Sequence, residues 1–238
     1  MLIGHPIPEK RKSIDLIDAF IAGAPRDAVG HVFYGVKEAN LDAWQRVLSA
    51  REPYYFIDNS YFDIVRSVQF RVTRNAVQHT GNGATDGKRF AALGVLVQKA
   101  REPGPEDYVL GIEQSDVFMR LTAQNPAWLR IVLTHFQRFP IKVKPWHWDK
   151  PEAMRSLRRD LEGALLVVTH SSAAAVEAQL AGIPTTVSRM SACHSLGLTV
   201  AGVQERTRWA GVLADNQFTR EELRNGYAWQ ALHQKAAT

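Results

Sequence analysis

The stretch VVTHSSAAAVEAQLAGIPTTVS, residues 167–188, carries the pattern that decides the fold class. It begins as an apolar, β-rich run, passes two serines, continues as an alanine-rich helical run, breaks at Gly-Ile-Pro and becomes β-rich again. A strand, a helix and a second strand in this order predict two parallel strands joined by a crossover helix. The stretch also raises a chemical question, because two hydroxyls, Ser171 and Ser172, precede a helix that contains a single carboxylate, Glu177.

The same alternation continues towards both ends of the chain. In the N-terminal half, β-rich runs at 28–36 and 52–62 flank the helical pattern NLDAWQRVLSA, and a third β-rich run at 67–77 precedes a polar, glycine-rich segment expected to be a loop. After EPGPED at 102–107, the predicted order is strand YVLGI, helix DVFMRLTAQNPAWLRIVLTHFQ, strand IKVKP, helix PEAMRSLRRDLEG, strand ALLVVT, the alanine helix and strand TTVS. The pattern therefore predicts an α/β fold with mostly parallel sheets that are covered on both faces.

The proline- and glycine-rich segment at 102–107 predicts a domain boundary. We expect an N-terminal domain at 1–103 and a C-terminal domain at 104–238, and leave open whether the last helices pack back on the N-terminal domain. The tail RTRWAGVLADNQFTREELRNGYAW is predicted to form two short helices on either side of NQFT. Thr219 and Glu222 have the spacing of a capping box.

Composition limits the class of protein. The chain has 238 residues, 45% of them hydrophobic, and can bury a substantial core. It has no apolar run near the length of a membrane span and no signal-peptide pattern, which predicts a cytoplasmic protein. The single cysteine excludes a disulfide within the chain, and the net charge of +5 favours anionic partners.

Polar residues follow three of the predicted strands in the second half. Ligands of parallel sheets bind outside the carboxyl ends of the strands, so we expect these residues to share one crevice. They are Gln114, Ser115, Lys144, His147, His170, Ser171 and Ser172. Hydroxyl donors beside a helix start suit a phosphate, and a tryptophan near Lys144 could stack on a nucleobase. The alternatives are that a serine only caps the helix, that Lys144 is solvated and that His170 is a core residue.

The spacing within the opening stretch resembles the nucleotide-binding segment of GT-B glycosyltransferases. The matching residues are Ser172, Glu177, Ala178, Ala181, Gly182 and Pro184. The resemblance implies two Rossmann-like halves, here with a reduced N-terminal half, and a metal-independent transferase that uses a nucleotide sugar, expected to be UDP-linked, and no further cofactor. It also implies that Ser171 and Ser172 contact the donor diphosphate and that Glu177 accepts hydrogen bonds from the ribose hydroxyls.

The N-terminal half offers a candidate catalytic base and a basic segment. Asp58 lies where an apolar strand ends, so it could take a proton from an acceptor hydroxyl or cap a turn. The basic residues of the following segment are Arg71, Arg74, His79, Lys88 and Arg89. They could contact a polyanionic acceptor such as DNA, or simply be solvated.

The tail and the FIDNSYF…FRVTRN run resemble small glycosyltransferase-like proteins of bacteriophages, which would place the protein in the host cytoplasm. We predict transfer of a sugar to a hydroxyl acceptor and favour a hydroxymethylated pyrimidine in DNA. The alternatives are a cell-surface polysaccharide transferase and a non-catalytic nucleic-acid-binding protein. The sequence does not fix the sugar, the stereochemistry or the oligomeric state.

Overall fold

The structure is a computed structural model that describes residues 1–62, 68–104, 107–122, 125–145, 151–198 and 200–234, with the backbone alone for 151–156. The strands are β1 Leu2–His5, β2 Gly30–Tyr34, β3 Tyr54–Asn59, β4 Gln69–Arg74, β5 Tyr108–Ile112, β6 Ile141–Lys144, β7 Ala164–Thr169, β8 Thr185–Val187 and β9 Gln217–Thr219. The helices are α1 Arg11–Gly23, α2 Glu38–Ala50, α3 Lys88–Ala92, α4 Asp116–Thr122, α5 Trp128–Leu133, α6 Pro151–Glu162, α7 Ala174–Leu180, α8 Val203–Ala214, α9 Arg220–Arg224 and α10 Tyr227–Gln234.

The chain forms two compact units. The first comprises Met1–His79 and Leu213–Thr238, and the second comprises Thr80–Val212. The boundary expected at residue 103 falls inside the second unit, and helices α9 and α10 belong to the first.

The first unit contains a five-stranded sheet in the order β1-β2-β3-β4-β9. Strands β1, β2 and β3 are parallel, whereas β4 and β9 run antiparallel to their neighbours. Alternate residues of β2 and β3 point to opposite faces. Val32 and Ile57 pack in a core with residues of α1, α9 and α10, and on the other face Phe33 stacks on Trp44 of α2 at a centroid distance of 3.8 Å.

The second unit contains a fully parallel sheet in the order β6-β5-β7-β8. Leu157 and Leu161 of α6 and Ala174 and Ala178 of α7 pack in a core with residues of β5 and β7. A second cluster joins Leu133 of α5 to the same two strands. The prediction of an α/β fold with mostly parallel sheets is therefore confirmed, and the carboxyl ends of β5, β6, β7 and β8 lie at one edge.

Two local predictions need correction, and one strand was not predicted. The helix expected over 116–137 is divided into α4, α5 and a 3-10 turn at Thr134–Phe136. Pro126 explains the break, because it lacks an N–H and disfavours the helical conformation of Asn125, whose side chain instead accepts a hydrogen bond from the Ala127 N–H at 2.9 Å. The expected loop at 78–90 ends in α3, and the N-terminal segment MLIGH forms a strand that the sequence reading missed.

The tail contains the expected capping box. Thr219 accepts a hydrogen bond from the Glu222 N–H at 3.2 Å, and the Glu222 carboxylate accepts one from the Thr219 N–H at 2.8 Å. The preceding residues of the tail form β9, which pairs with β4 and is an edge strand of the first sheet. The capping box is thus confirmed at the start of α9, directly after a strand.

Candidate functional site

The carboxyl ends of β5 and β7 bring three of the predicted donor-binding residues together in the second unit. The Ser171 hydroxyl donates to Oε1 of Gln114 at 2.9 Å, and its oxygen lies 3.2 Å from Nδ1 of His170. Thr169 donates to the Ile112 carbonyl at 2.9 Å, which fixes the two strand ends side by side. Burial lowers the pKa of His170, so its imidazole is neutral at pH 7.

The two other hydroxyls predicted for the donor site make local hydrogen bonds. Ser172 Oγ accepts from the Ala174 N–H at 3.2 Å, and Ser115 Oγ accepts from the Phe118 N–H at 3.3 Å. Ser115 accepts from the third residue of α4, as an N-cap side chain does, whereas Ser172 forms a local turn one residue before Ala173, the N-cap of α7, which has no side-chain cap hydrogen bond. A serine hydroxyl that accepts such a bond still has its own proton to donate.

Glu177 of α7 is partly buried, and the other residues of this helix, mostly alanines, are buried. Within the part of the chain that the structure describes, we find no hydrogen bond or ion pair to its carboxylate. Burial raises the pKa of Glu177 from 4.5 to about 7, because the charged form loses hydration without gaining a partner. A carboxyl group in this state favours a ligand that brings hydrogen-bond donors.

Lys144 lies at the expected strand end, but its ammonium is already engaged. It donates to Oδ2 of Asp160 at 2.8 Å, and Lys142 donates to the other oxygen of the same carboxylate. Burial alone would raise the pKa of Asp160, but the hydrogen bonds from Lys142 and Lys144 lower it below its ordinary value. Asp160 was missed by sequence reasoning, since it lies on α6 and meets β6 only in the folded chain. His147, the remaining donor candidate, lies outside the described residues.

A pocket of about 680 Å³ lies beside Gln114 and His170 in the second unit. Its wall combines Gln114 and His170 with apolar side chains such as Met119 and Leu133 and with charged residues such as Arg120. A pocket with apolar and polar groups in its wall is typical of a small-molecule site. The cavity therefore extends from the predicted donor site along the sheet face that α4 and α5 cover.

The first unit places Asp58 at the carboxyl end of β3, opposite Arg71 of β4. Arg71 donates to Oδ2 of Asp58 at 2.5 Å, and the Asn59 N–H donates to Oδ1 at 2.8 Å. Arg71 is buried, and its Nε has no hydrogen-bond partner among the described residues. Asp58 is less buried, with 26% of its side chain exposed, so it can still be reached by a ligand.

A lysine that sequence reasoning missed lies beside this pair. The Lys12 ammonium donates to Oδ1 of Asn59 at 3.0 Å and lies 4.7 Å from the centroid of the Phe70 ring. The Tyr34 hydroxyl donates to the same amide oxygen at 3.3 Å. Because Lys12 is 47 residues from Asn59 in the chain, no sequence spacing could have indicated this contact.

The other predicted acceptor-binding residues are divided between the two units. Arg74 is exposed, and the His79 N–H donates to the Tyr61 hydroxyl at 2.9 Å. Lys88, at the start of α3, pairs with Asp86 at 2.9 Å. Arg74 and His79 belong to the first unit, whereas Lys88 and Arg89 belong to the second.

The described residues contain no group of three or more histidine, cysteine, aspartate or glutamate side chains placed to share a metal ion. Over the same part of the chain, none of the helices has the length and apolar character needed to span a bilayer.

Comparison with known proteins identifies the fold of the chain. No protein-family model matches the chain, and no curated protein sequence does. Among solved structures, the chain is similar to KpsC, beta Kdo 2,7 transferase, from Thermosulfurimonas dismutans, with a TM-score of 0.52 and 12% identity over 95% of this chain and 97% of that chain. It is also similar to KpsC, beta Kdo 2,4 transferase, from the same organism, with a TM-score of 0.51 and 15% identity over 90% of each chain. The chain thus has a GT-B-like α/β fold.

Proposed function

We propose that the protein is a glycosyltransferase that moves a sugar from a nucleotide sugar to a hydroxyl acceptor. The donor binds in the second unit, where Gln114, His170 and Ser171 meet at the ends of β5 and β7. This location follows the general rule for parallel sheets, and a neutral His170 can accept or donate a single hydrogen bond there.

The observation that carries the proposal is the state of Glu177. A half-buried carboxyl group with a pKa raised to about 7 is costly for the fold when ionised, and structural residues rarely remain in this state without a partner. Two vicinal ribose hydroxyls would supply the missing donors. The GT-B-like fold supports this role, since it matches the sequence resemblance that first singled out Glu177.

We assign binding of the donor phosphates to Ser171 and Ser172. Ser172 can donate its hydroxyl proton to a phosphate oxygen, whereas Ser171, which donates to Gln114, must turn its proton from Gln114 to the phosphate. Such bonds gain strength as the leaving group acquires charge. Lys144 is tied to Asp160, so it would contribute to the electrostatic potential rather than contact the donor directly. Use of a UDP-linked donor and independence of a metal stay part of the proposal.

The proposed reaction is a direct displacement with Asp58 as general base. The acceptor hydroxyl gives its proton to Asp58, its oxygen forms a bond to the anomeric carbon, and the bond from that carbon to the phosphate oxygen breaks. The nucleotide leaves with the bonding electrons, and the anomeric centre inverts. Arg71 and the Asn59 N–H hold the carboxylate in place.

For the acceptor, the placement of the basic residues argues against DNA and leaves a saccharide as the better supported class. The names of the solved structures with a similar fold give Kdo as the group that those proteins transfer. Of the basic residues expected to hold DNA, Arg71 is buried against Asp58 and Lys88 is paired with Asp86. We find no specific feature of the described residues that favours a hydroxymethylated pyrimidine.

A thermal-shift screen tests the proposal. Nucleoside mono- and diphosphate sugars, including UDP-linked ones, are added to the full chain, with the free sugars as controls. A ligand at 100 times its Kd stabilises the folded state by about 2.7 kcal/mol, which raises the Tm of a chain of this size by roughly 5–10 °C. If every nucleotide sugar leaves the Tm unchanged, the donor assignment fails and a non-catalytic role gains support.

A further inference from the structure

The pocket in the second unit has an interior that is apolar except for Gln114 and His170. Among the described residues of its wall, the other side chains that are not exposed are apolar, and Met119 and Leu133 are buried. The charged residues of the wall are exposed and of both signs: Glu113, Asp116, Arg120 and Arg130. The interior therefore favours a neutral group that has few polar atoms.

The hydrogen bonds of Ser171 fix which atoms its two neighbours can offer to a ligand. Ser171 gives its hydroxyl proton to Gln114, so its oxygen accepts the bond from Nδ1 of His170. That oxygen still accepts from His170 when the Ser171 proton turns to a phosphate. Burial lowers the pKa of His170 and keeps the ring neutral, so a proton on Nδ1 leaves a lone pair on Nε2.

The atoms that remain for a ligand are one acceptor and one amide donor. Within the described parts of the chain, neither Nε2 of His170 nor the side-chain NH2 of Gln114 has a hydrogen-bond partner. His170 is only 5% exposed, so its unpaired nitrogen is not satisfied by bulk water as a surface group would be. Both side chains belong to the pocket wall.

The pocket and Glu177 lie on opposite faces of the second sheet. Val168 of β7 packs with Leu133 of α5, whereas its neighbour Val167 packs with Ala178 of α7. Helix α5 contributes to the pocket, and α7 contains Glu177. A donor with its ribose at Glu177 and its phosphates at the serines of the sheet edge therefore extends its sugar towards the α5 face.

We propose that this pocket binds the transferred sugar of the donor and selects a sugar with an N-acyl group. The inference rests on the proposed function, since it names the class of sugar that the same donor site accepts. The acylamino N–H donates to Nε2 of His170, the acyl oxygen accepts from the Gln114 amide, and the methyl group packs against apolar side chains such as Met119. A hydroxyl in the same position lacks the methyl group and has a single oxygen for both side chains, so the unacylated sugar binds more weakly.

Calorimetric titration of the full chain with UDP-N-acetylglucosamine, UDP-glucose and UDP tests the selection. We expect the acylated sugar nucleotide to bind about tenfold more tightly than UDP-glucose. His170→Phe keeps an aromatic ring beside Trp128 but removes the acceptor, so the two sugar nucleotides should bind it alike. The matched control is His194→Phe, which changes an exposed histidine of the second unit and should keep the preference.

Isotope-filtered NMR locates the acyl group. With a 13C-labelled acetyl group in UDP-N-acetylglucosamine, we expect a nuclear Overhauser contact between the acetyl methyl group and the Met119 methyl group. The Met119→Leu variant assigns that signal. A contact from the uracil protons to Met119 instead would mean that the nucleobase occupies the pocket, and would overturn the inference.

The affinities separate failure of this inference from failure of the proposed function. If UDP binds but the two sugar nucleotides bind alike to the unmodified chain, or if His170→Phe keeps the full preference, the inference fails and the donor site stands. The comparison on the unmodified chain decides even where the variant does not fold. If none of the three ligands binds, the UDP-linked donor and this inference both fail, and the thermal-shift screen of other nucleotide sugars decides the proposed function separately.

Discussion

At the scale of single residues, Glu177 connects the stability of the protein to its proposed function. Its pKa in the folded chain is about 7, above the ordinary value of 4.5 that applies when the chain is unfolded. Between these two values the unfolded chain loses its proton first, so the folded state becomes less stable as the pH rises. The full loss of folding stability is reached only above pH 7.

We therefore expect Glu177→Gln to remove a pH-dependent loss of stability of about 3 kcal/mol. The free energy of unfolding of the variant should exceed that of the parent chain at pH 8 and differ little from it at pH 4. Urea unfolding at both pH values measures this difference. A parent chain and a variant that respond alike to pH would mean that Glu177 is hydrated or paired in solution.

Asp58 is the residue whose change should separate catalysis from binding. Asp58→Asn keeps the shape and a hydrogen-bond acceptor for Arg71 but removes the base, so we expect turnover to fall by about 10²–10⁴ with donor affinity nearly unchanged. Steady-state kinetics with calorimetry of the donor would show this. Unchanged turnover would mean that Asp58 has only a structural role, as the partner of Arg71.

At the scale of elements, the connection between α7 and β8 shows why Gly182 occupies its position. Gly182 has a φ of 78°, and a Cβ there would lie 2.0 Å from the Lys99 carbonyl oxygen. The Gly182 carbonyl in turn accepts a hydrogen bond from the Arg101 N–H at 2.9 Å. The turn therefore packs directly against the backbone of another segment.

Gly182→Ala should destabilise the second unit by about 3 kcal/mol or more, because it combines left-handed strain with a backbone clash. Gly87→Ala is the matched control, since Gly87 has a φ of 70° and no atom within 4 Å of its Cβ position. We expect Gly87→Ala to lower the free energy of unfolding by about 1–2 kcal/mol. Thermal unfolding of the two variants measures the contrast, and equal losses would contradict the clash.

The elements themselves were largely predictable from the sequence, and their exceptions have local causes. Apolar runs such as YVLGI and ALLVVT formed strands because buried parallel strands need continuous apolar sequence. The run at 116–137 has a helical pattern throughout, yet Pro126 divides it. The strand Leu2–His5 was missed since it is short and lies next to a proline.

At the scale of the whole molecule, the fold class and one contact of the candidate site followed from the sequence, while the other contacts did not. The order of strands and helices places Gln114 and Ser171 at neighbouring strand ends, so their meeting could be expected. The Lys142–Asp160–Lys144 group and the Lys12–Asn59 contact join distant parts of the chain. Such pairs depend on how helices pack on sheets, which residue spacing does not encode.

The central claim is that the ends of β5 and β7, with Glu177, bind a nucleotide. Calorimetric titration with a nucleoside and its diphosphate tests it most directly on three variants: Glu177→Gln, Ser172→Ala, and Ser195→Ala as an exposed serine control. We expect Glu177→Gln to weaken both ligands about ten- to a hundredfold, Ser172→Ala to weaken mainly the diphosphate, and the control to weaken neither. If neither affinity changes in Glu177→Gln or Ser172→Ala, Ser172 only stabilises the turn before α7, Glu177 is only a helix residue, and the claim is contradicted.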